Sequence, residues 1–120
     1  LLAGGGLGTT LRYLTYRFAY QSFKGNFAWG TLFVNLSGSL IIGLMWGILD
    51  MEKLHPAWRN FLFIGLLGSY TTFSTYTLDS FAYLKSGDYK LALMNIFFHN
   101  ILGILMVFAG YFLSKQFVQG

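Results

Sequence analysis

The sequence predicts an all-α integral membrane protein of four spanning helices, the third of them broken at mid-membrane. Three features carry that prediction. Apolar residues make up 55% of the 120 and charged residues only 10%, where a soluble domain carries about 25% charged; mean hydropathy is +0.55. The apolar residues fall into four runs, each long enough for the roughly 20 residues that cross a bilayer core. The third run is too long for one span and has a polar middle. So few charges cannot cover a water-facing surface, which excludes a soluble enzyme, a disordered chain and a nucleic-acid binder. The net charge of +4 comes from scattered Lys and Arg rather than a basic patch. Without cysteine, neither a disulfide framework nor a thiolate metal site is open to it. Residues 1–120 form one domain, too short for a second core.

The first run is about 1–20, with Arg12 inside it, and it lacks the basic n-region and cleavage site of a signal peptide. The second, about 29–49, has no charge; the third and fourth are about 57–84 and 89–114. The connections, Gln21 to Ala28, Asp50 to Pro56 and Lys85 to Asp88, are short enough to make neighbouring helices antiparallel. Pro56 suits a first helical turn, where its missing N–H costs nothing. Gly87 fits a C′ position and Asp88 an N-cap. Tyr20, Trp29, Trp46, Trp58 and Tyr89 lie near helix ends, where amphipathic rings anchor at the membrane interface. Loop charges are nearly balanced: Lys53, Arg59 and Lys115 fall on one side, and Arg17, Lys24, Lys85 and Lys90 on the other. The positive-inside rule then leaves two readings, a single orientation set weakly or copies inserted both ways.

The third run spans 28 residues, roughly 42 Å of helix at about 1.5 Å per residue. Its centre runs from Gly65 through Gly68, Ser69, Tyr70, Thr71 and Thr72 to Thr77, a poor helix centre because Gly loses entropy while Ser and Thr compete for backbone bonds. A break is expected near 68–72, with freed carbonyls able to meet a cation and a half-helix N-terminus able to meet an anion. The plainer alternative is a long tilted helix whose hydroxyls bond back to their own turn. In the second run Asn35, Ser39, Gly43 and Gly47 share one face. They form either a packing seam or a polar lining in which the Asn35 amide offers a neutral donor. Gly4 and Gly8 read as close packing. In the fourth run Asn95, His99 and Gly103 recur at the same spacing, with Asn100 beside them. A histidine in a span is a functional candidate, but without partner ligands His99 fits a pore lining or an interhelical bond better than a metal. Arg12 and Asp79 either pair or face a vestibule. With no triad, carboxylate dyad or phosphate loop, an enzyme is not expected.

Three segments occur in order: Gly4-Gly-Gly-Leu-Gly-Thr-Thr-Leu-Arg12-Tyr13, Gly30-Thr-Leu-Phe-Val-Asn35 and Thr71-Thr-Phe-Ser-Thr-Tyr76. Together they resemble the Fluc fluoride channels, the CrcB family, over essentially the whole chain. The resemblance implies an antiparallel, dual-topology homodimer with two fluoride pores along its interface and a structural sodium ion at its centre. The sodium would be held by backbone carbonyls that map to Gly68 and Thr71. The pore asparagine maps to Asn35 and the two pore phenylalanines to Phe73 and Tyr76, with Ser74 and Thr75 as the adjoining hydroxyl residues. Ser39 and His99 join this fluoride pathway from the polar faces above. Conduction would be passive export from the cytoplasm across the plasma membrane, in a multi-pass protein embedded in the lipid bilayer. Two departures stand out: tyrosine replaces phenylalanine at 76, and Ser69-Tyr70 replaces the usual glycine. Some members of the family pair with a paralogue, so a heterodimer is the variant assembly. The competing classes are a dual-topology drug exporter, which needs a carboxylate that the first helix lacks, and a non-transporting membrane subunit, which leaves a polar mid-membrane break unexplained.

Overall fold

Apolar runs punctuated by Pro56, Gly87 and the Thr71-Thr72 pair close into antiparallel helices, with no strand among the described residues. The computed structural model describes residues 1–23, 25, 27–50 and 52–119, with 118 and 119 described by backbone alone. Lys24, one of the loop charges weighed above, lies outside the described residues. Helix α1 is Leu2–Ser22 and α2 is Trp29–Ile48. The third run is two helices rather than one: α3 covers 56–70, α4 is Phe73–Lys85, and Thr71 and Thr72 between them are extended (φ −85°, ψ 161° and φ −150°, ψ 115°). The interruption falls at the C-terminal edge of the expected 68–72 stretch, and Gly68–Tyr70 remain helical. Helix α5 runs over 89–119. Two stretches widen to π-helical geometry, Asn60–Leu67 within α3 and Phe98–Leu102 within α5.

The ends have local causes. Pro56 opens α3, and the His55 ring caps it, Nδ1 accepting the Ala57 N–H at 3.1 Å. Gly87 takes φ +84°, a left-handed conformation that costs glycine little. It lets the Asp88 N–H reach the Tyr83 carbonyl (2.8 Å) and its own N–H reach Leu84 (3.3 Å), closing α4 with a Schellman turn. Asp88 occupies the N-cap position of α5, but its side chain makes no capping bond there.

Helix α2 lies along α5, and α1 lies along α3. Close approach is what the small residues allow. A Cβ on Gly43 would collide with the Val107 carbonyl, and one on Gly110 with the Leu40 carbonyl. A Cβ on Gly4 would come within 2.7 Å of the Phe61 carbonyl, so the first-helix glycines do serve packing. Buried apolar residues are small or few (Ala19, Phe27, Leu32, Val34, Leu67, Ala92), while Leu2, Phe18, Phe81, Leu93 and Phe108 are exposed. This inside-out distribution suits hydrocarbon rather than water. Trp29–Ile48 and Tyr89–Phe117 are each long and apolar enough to cross a membrane.

Candidate functional site

Two extended residues within an apolar helix leave backbone groups that hydrocarbon cannot satisfy. Asn35, from α2, answers for Thr72. Its Nδ2 donates to the Thr72 carbonyl at 3.0 Å and its Oδ1 accepts the Thr72 N–H at 2.8 Å. Thr72, almost fully buried, then caps α4 with its side chain: Oγ1 accepts the Thr75 N–H (3.2 Å), donates to Thr75 Oγ1 (3.1 Å) and lies 3.3 Å from Ser74 Oγ. Gly38 leaves room for the break, because a Cβ there would meet the Thr71 methyl. The departure at Ser69-Tyr70 is also structural. Ser69 Oγ donates to the Gly65 carbonyl (2.5 Å), and the Tyr70 hydroxyl lies 2.8 Å from Ser37 Oγ and 3.3 Å from Thr15 Oγ1, tying α3 to α2 and α1 just before the chain unwinds.

Beside the break lies a cavity of about 360 Å³. It brings together Asn35, Ser39, Gly68, Thr71, Phe73, Tyr76 and His99 from three separate stretches of sequence. Gly38, Thr72 and Asn100 complete the polar side, and Ile42, Phe63 and Leu67 supply apolar wall. Ser74 and Thr75 are not in this lining; their hydroxyls and the Thr75 N–H serve the cap on α4. The Thr72 cap and its partner on α2 were both missed by the sequence analysis; a threonine directly before a helical run is the signal for the first.

The aromatic rings form a short stack. Phe73 and Tyr76 have centroids 5.6 Å apart, and Tyr76 lies 4.3 Å from the His99 ring. His99 Nδ1 is 2.9 Å from the Asn95 carbonyl; a carbonyl only accepts, so Nδ1 carries a proton. Consecutive residues His99 and Asn100, both within the π-helical turn at Phe98–Leu102, line the cavity together. Asn95, four residues before His99, faces elsewhere. It is fully buried and bridges α5 to α4, donating to Ser80 Oγ at 2.9 Å and to the Tyr76 carbonyl at 3.4 Å. Asp79 accepts from Thr31 Oγ1 at 3.0 Å. Arg12 and Asp79 do not pair; the ion pair among the described residues is Lys53–Asp50, at 3.9 Å.

The break also redirects two backbone donors. In a continuous helix the Thr72 N–H would bond the Gly68 carbonyl and the Thr75 N–H the Thr71 carbonyl. Here they go to Asn35 Oδ1 and Thr72 Oγ1. Gly68 and Thr71 thereby lose their helical donors and line the cavity. No cluster of three or more His, Cys, Asp or Glu able to hold a metal occurs among the described residues, so a cation at this place would be met by neutral carbonyl oxygens. Neutral donors, ring edges and freed carbonyls can solvate an ion.

The family described as CrcB-like protein, Camphor Resistance (CrcB), matches residues 1–111 of the chain. A fluoride-specific ion channel FluC of Parabacteroides distasonis is 39% identical over 118 residues, which cover 98% of this chain and 92% of that protein. FluC of Rhizobium meliloti is 43% identical over 118 residues (97% and 94%). FluC of Aquifex aeolicus is 41% identical over 114 (94% and 92%). These relatives are ion channels rather than enzymes. An all-helical membrane protein whose sequence matches along nearly its whole length, this chain belongs to the CrcB family.

Proposed function

We propose that the chain is a passive, fluoride-selective channel of the plasma membrane that lets fluoride leave the cytoplasm down its gradient. The observation that carries this reading is the cavity at the break, where a clamped asparagine and two aromatic rings face one space with no Lys or Arg in its lining. Relatives named for fluoride-specific conduction supply the ion.

Fluoride is small and strongly hydrated, so a pore must replace water with donors and positive partial charge. Asn35 Nδ2 carries two hydrogens; one goes to the Thr72 carbonyl, and the other is left for an anion. The Phe73 ring, at the start of α4, is 75% exposed and can offer its positive edge. The N-terminal end of α4 adds the positive pole of a helix. Weak, neutral contacts at several places allow exit where a fixed cation would hold the ion too tightly.

The assembly in this reading is an antiparallel homodimer with two pores along its interface. Nearly balanced loop charges and the exposed Phe73 ring support it. A sodium ion at the centre would be held by the Gly68 and Thr71 carbonyls of both copies, and the redirected donors at Thr72 and Thr75 support that assignment. When bound, the sodium supplies a positive charge that offsets the cost of an anion in a low dielectric.

The test is fluoride efflux from liposomes holding only this purified chain, followed with a fluoride electrode against chloride-loaded controls. Rapid fluoride release without chloride release is expected. No release from well-folded protein, alone or co-expressed with a paralogue, would overturn the channel reading. Release only on co-expression would replace the homodimer with a heterodimer.

A further inference from the structure

Tyrosine at position 76 adds a hydroxyl to the aromatic pair, and its surroundings determine which way that hydroxyl points. Asn100 Nδ2 lies 2.8 Å from the Ile96 carbonyl and 3.1 Å from the Tyr76 hydroxyl oxygen. The Ile96 carbonyl can only accept, so the amide NH2, not its oxygen, occupies that position. Both amide hydrogens are then committed, one to Ile96 and one to the phenol. The phenol oxygen is an acceptor in this bond, and its own hydrogen must point elsewhere. Tyr76 and Asn100 both line the cavity, and the ring is held against His99 at 4.3 Å.

We propose that Asn100 is a positioning residue that fixes the polarity of the Tyr76 hydroxyl, making it a hydrogen-bond donor to a small anion in the cavity. This rests on the channel reading above and adds a second neutral donor, on α4, to the Asn35 amide on α2. A donor aimed at an anion makes a stronger bond than one between neutral groups, so the hydroxyl raises occupancy at low fluoride without adding a fixed charge. Asn100 makes no contact with the anion; its amide hydrogens are already used.

The experiment measures initial fluoride efflux against internal fluoride concentration for the unaltered chain, Tyr76→Phe, Asn100→Leu and the double variant, with thermal midpoints in detergent as the folding control. Tyr76→Phe and Asn100→Leu are each expected to raise the half-saturating fluoride concentration roughly tenfold, as loss of a bond to a charged group does. The thermal midpoint should stay close to the unaltered value. The double variant should match Tyr76→Phe alone, because both changes remove one interaction. An unchanged half-saturating concentration in Tyr76→Phe overturns the inference while leaving the channel reading standing, and so does an additive double variant. If Tyr76→Phe does not fold, a normal half-saturating concentration in Asn100→Leu overturns it equally. An unaltered chain that releases no fluoride overturns the channel reading and this inference with it.

Discussion

The two halves of α2 carry the same kind of polar and small stripe and put it to different uses. In the C-terminal half, Gly43 and Gly47 face α5: a Cβ on Gly43 would strike the Val107 carbonyl, and one on Gly47 would strike Ser114 Oγ. In the N-terminal half Asn35, with Ser39 at the middle of the helix, faces the cavity and holds Thr72 by two hydrogen bonds. What differs is the neighbour. Opposite Gly43 and Gly47 runs a continuous helix with its backbone bonds made, and small residues let it come close. Opposite Asn35 the chain is unwound, and an amide is needed to complete the Thr72 backbone. Spacing of four residues therefore identifies a face, and the partner decides whether that face is seam or site.

The sharpest way to break this comparison is to fill the seam. Gly43→Val should cost about 3 kcal/mol or more, because the collision is with backbone that cannot rotate away; thermal unfolding and size-exclusion chromatography in detergent should show loss of the folded chain. Next comes the clamp. Asn35→Ala should remove fluoride flux and also lower stability by about 2 kcal/mol, since the buried Thr72 N–H and carbonyl lose their partners. A flux loss with no stability change would mean the clamp is not formed. Phe73→Ile should separate function from folding. The ring is exposed in the single chain, so the monomer fold should keep its stability while flux falls roughly tenfold or more with the loss of the aromatic edge. A variant that conducts normally would remove Phe73 from the pathway. Thr72→Val should have the smallest effect, about 1 kcal/mol, the usual cost of deleting a helix cap, and Thr72→Ser should restore it. Equal stability in Thr72→Val would show that the clamp by Asn35 holds the break without the cap.

Much of the fold was legible because a bilayer makes length and apolarity strict requirements. Runs of apolar residues, Pro56 and Gly87 marked the helices and their ends, and the crowding of glycine, serine and threonine marked the break. The candidate site was legible where a residue's type conflicted with its surroundings, as with Asn35 and His99; Tyr76 entered only through the family resemblance. What could not be read depends on contacts across helices. Asn95 and His99 share spacing and polarity, yet one bonds Ser80 behind the cavity and the other lines it. Ser74 and Thr75 look like lining hydroxyls in a motif, but Thr72 draws them into the cap. Asn100 donates to both Ile96 and Tyr76 from one nitrogen, a geometry that no local pattern announces.

The widened turn at Phe98–Leu102 has a consequence for how the chain can vary. A π turn holds one more residue than an α turn while the helix on either side keeps its direction. A single-residue deletion here would regularise the helix rather than destroy it, and the flanking contacts of α5 with α2 and α4 would keep their register. It would, however, change how the side chains of this turn are presented to the cavity that His99 and Asn100 line. Length change by one codon, and not only substitution, is thus a route by which a chain of this design alters the lining of its cavity.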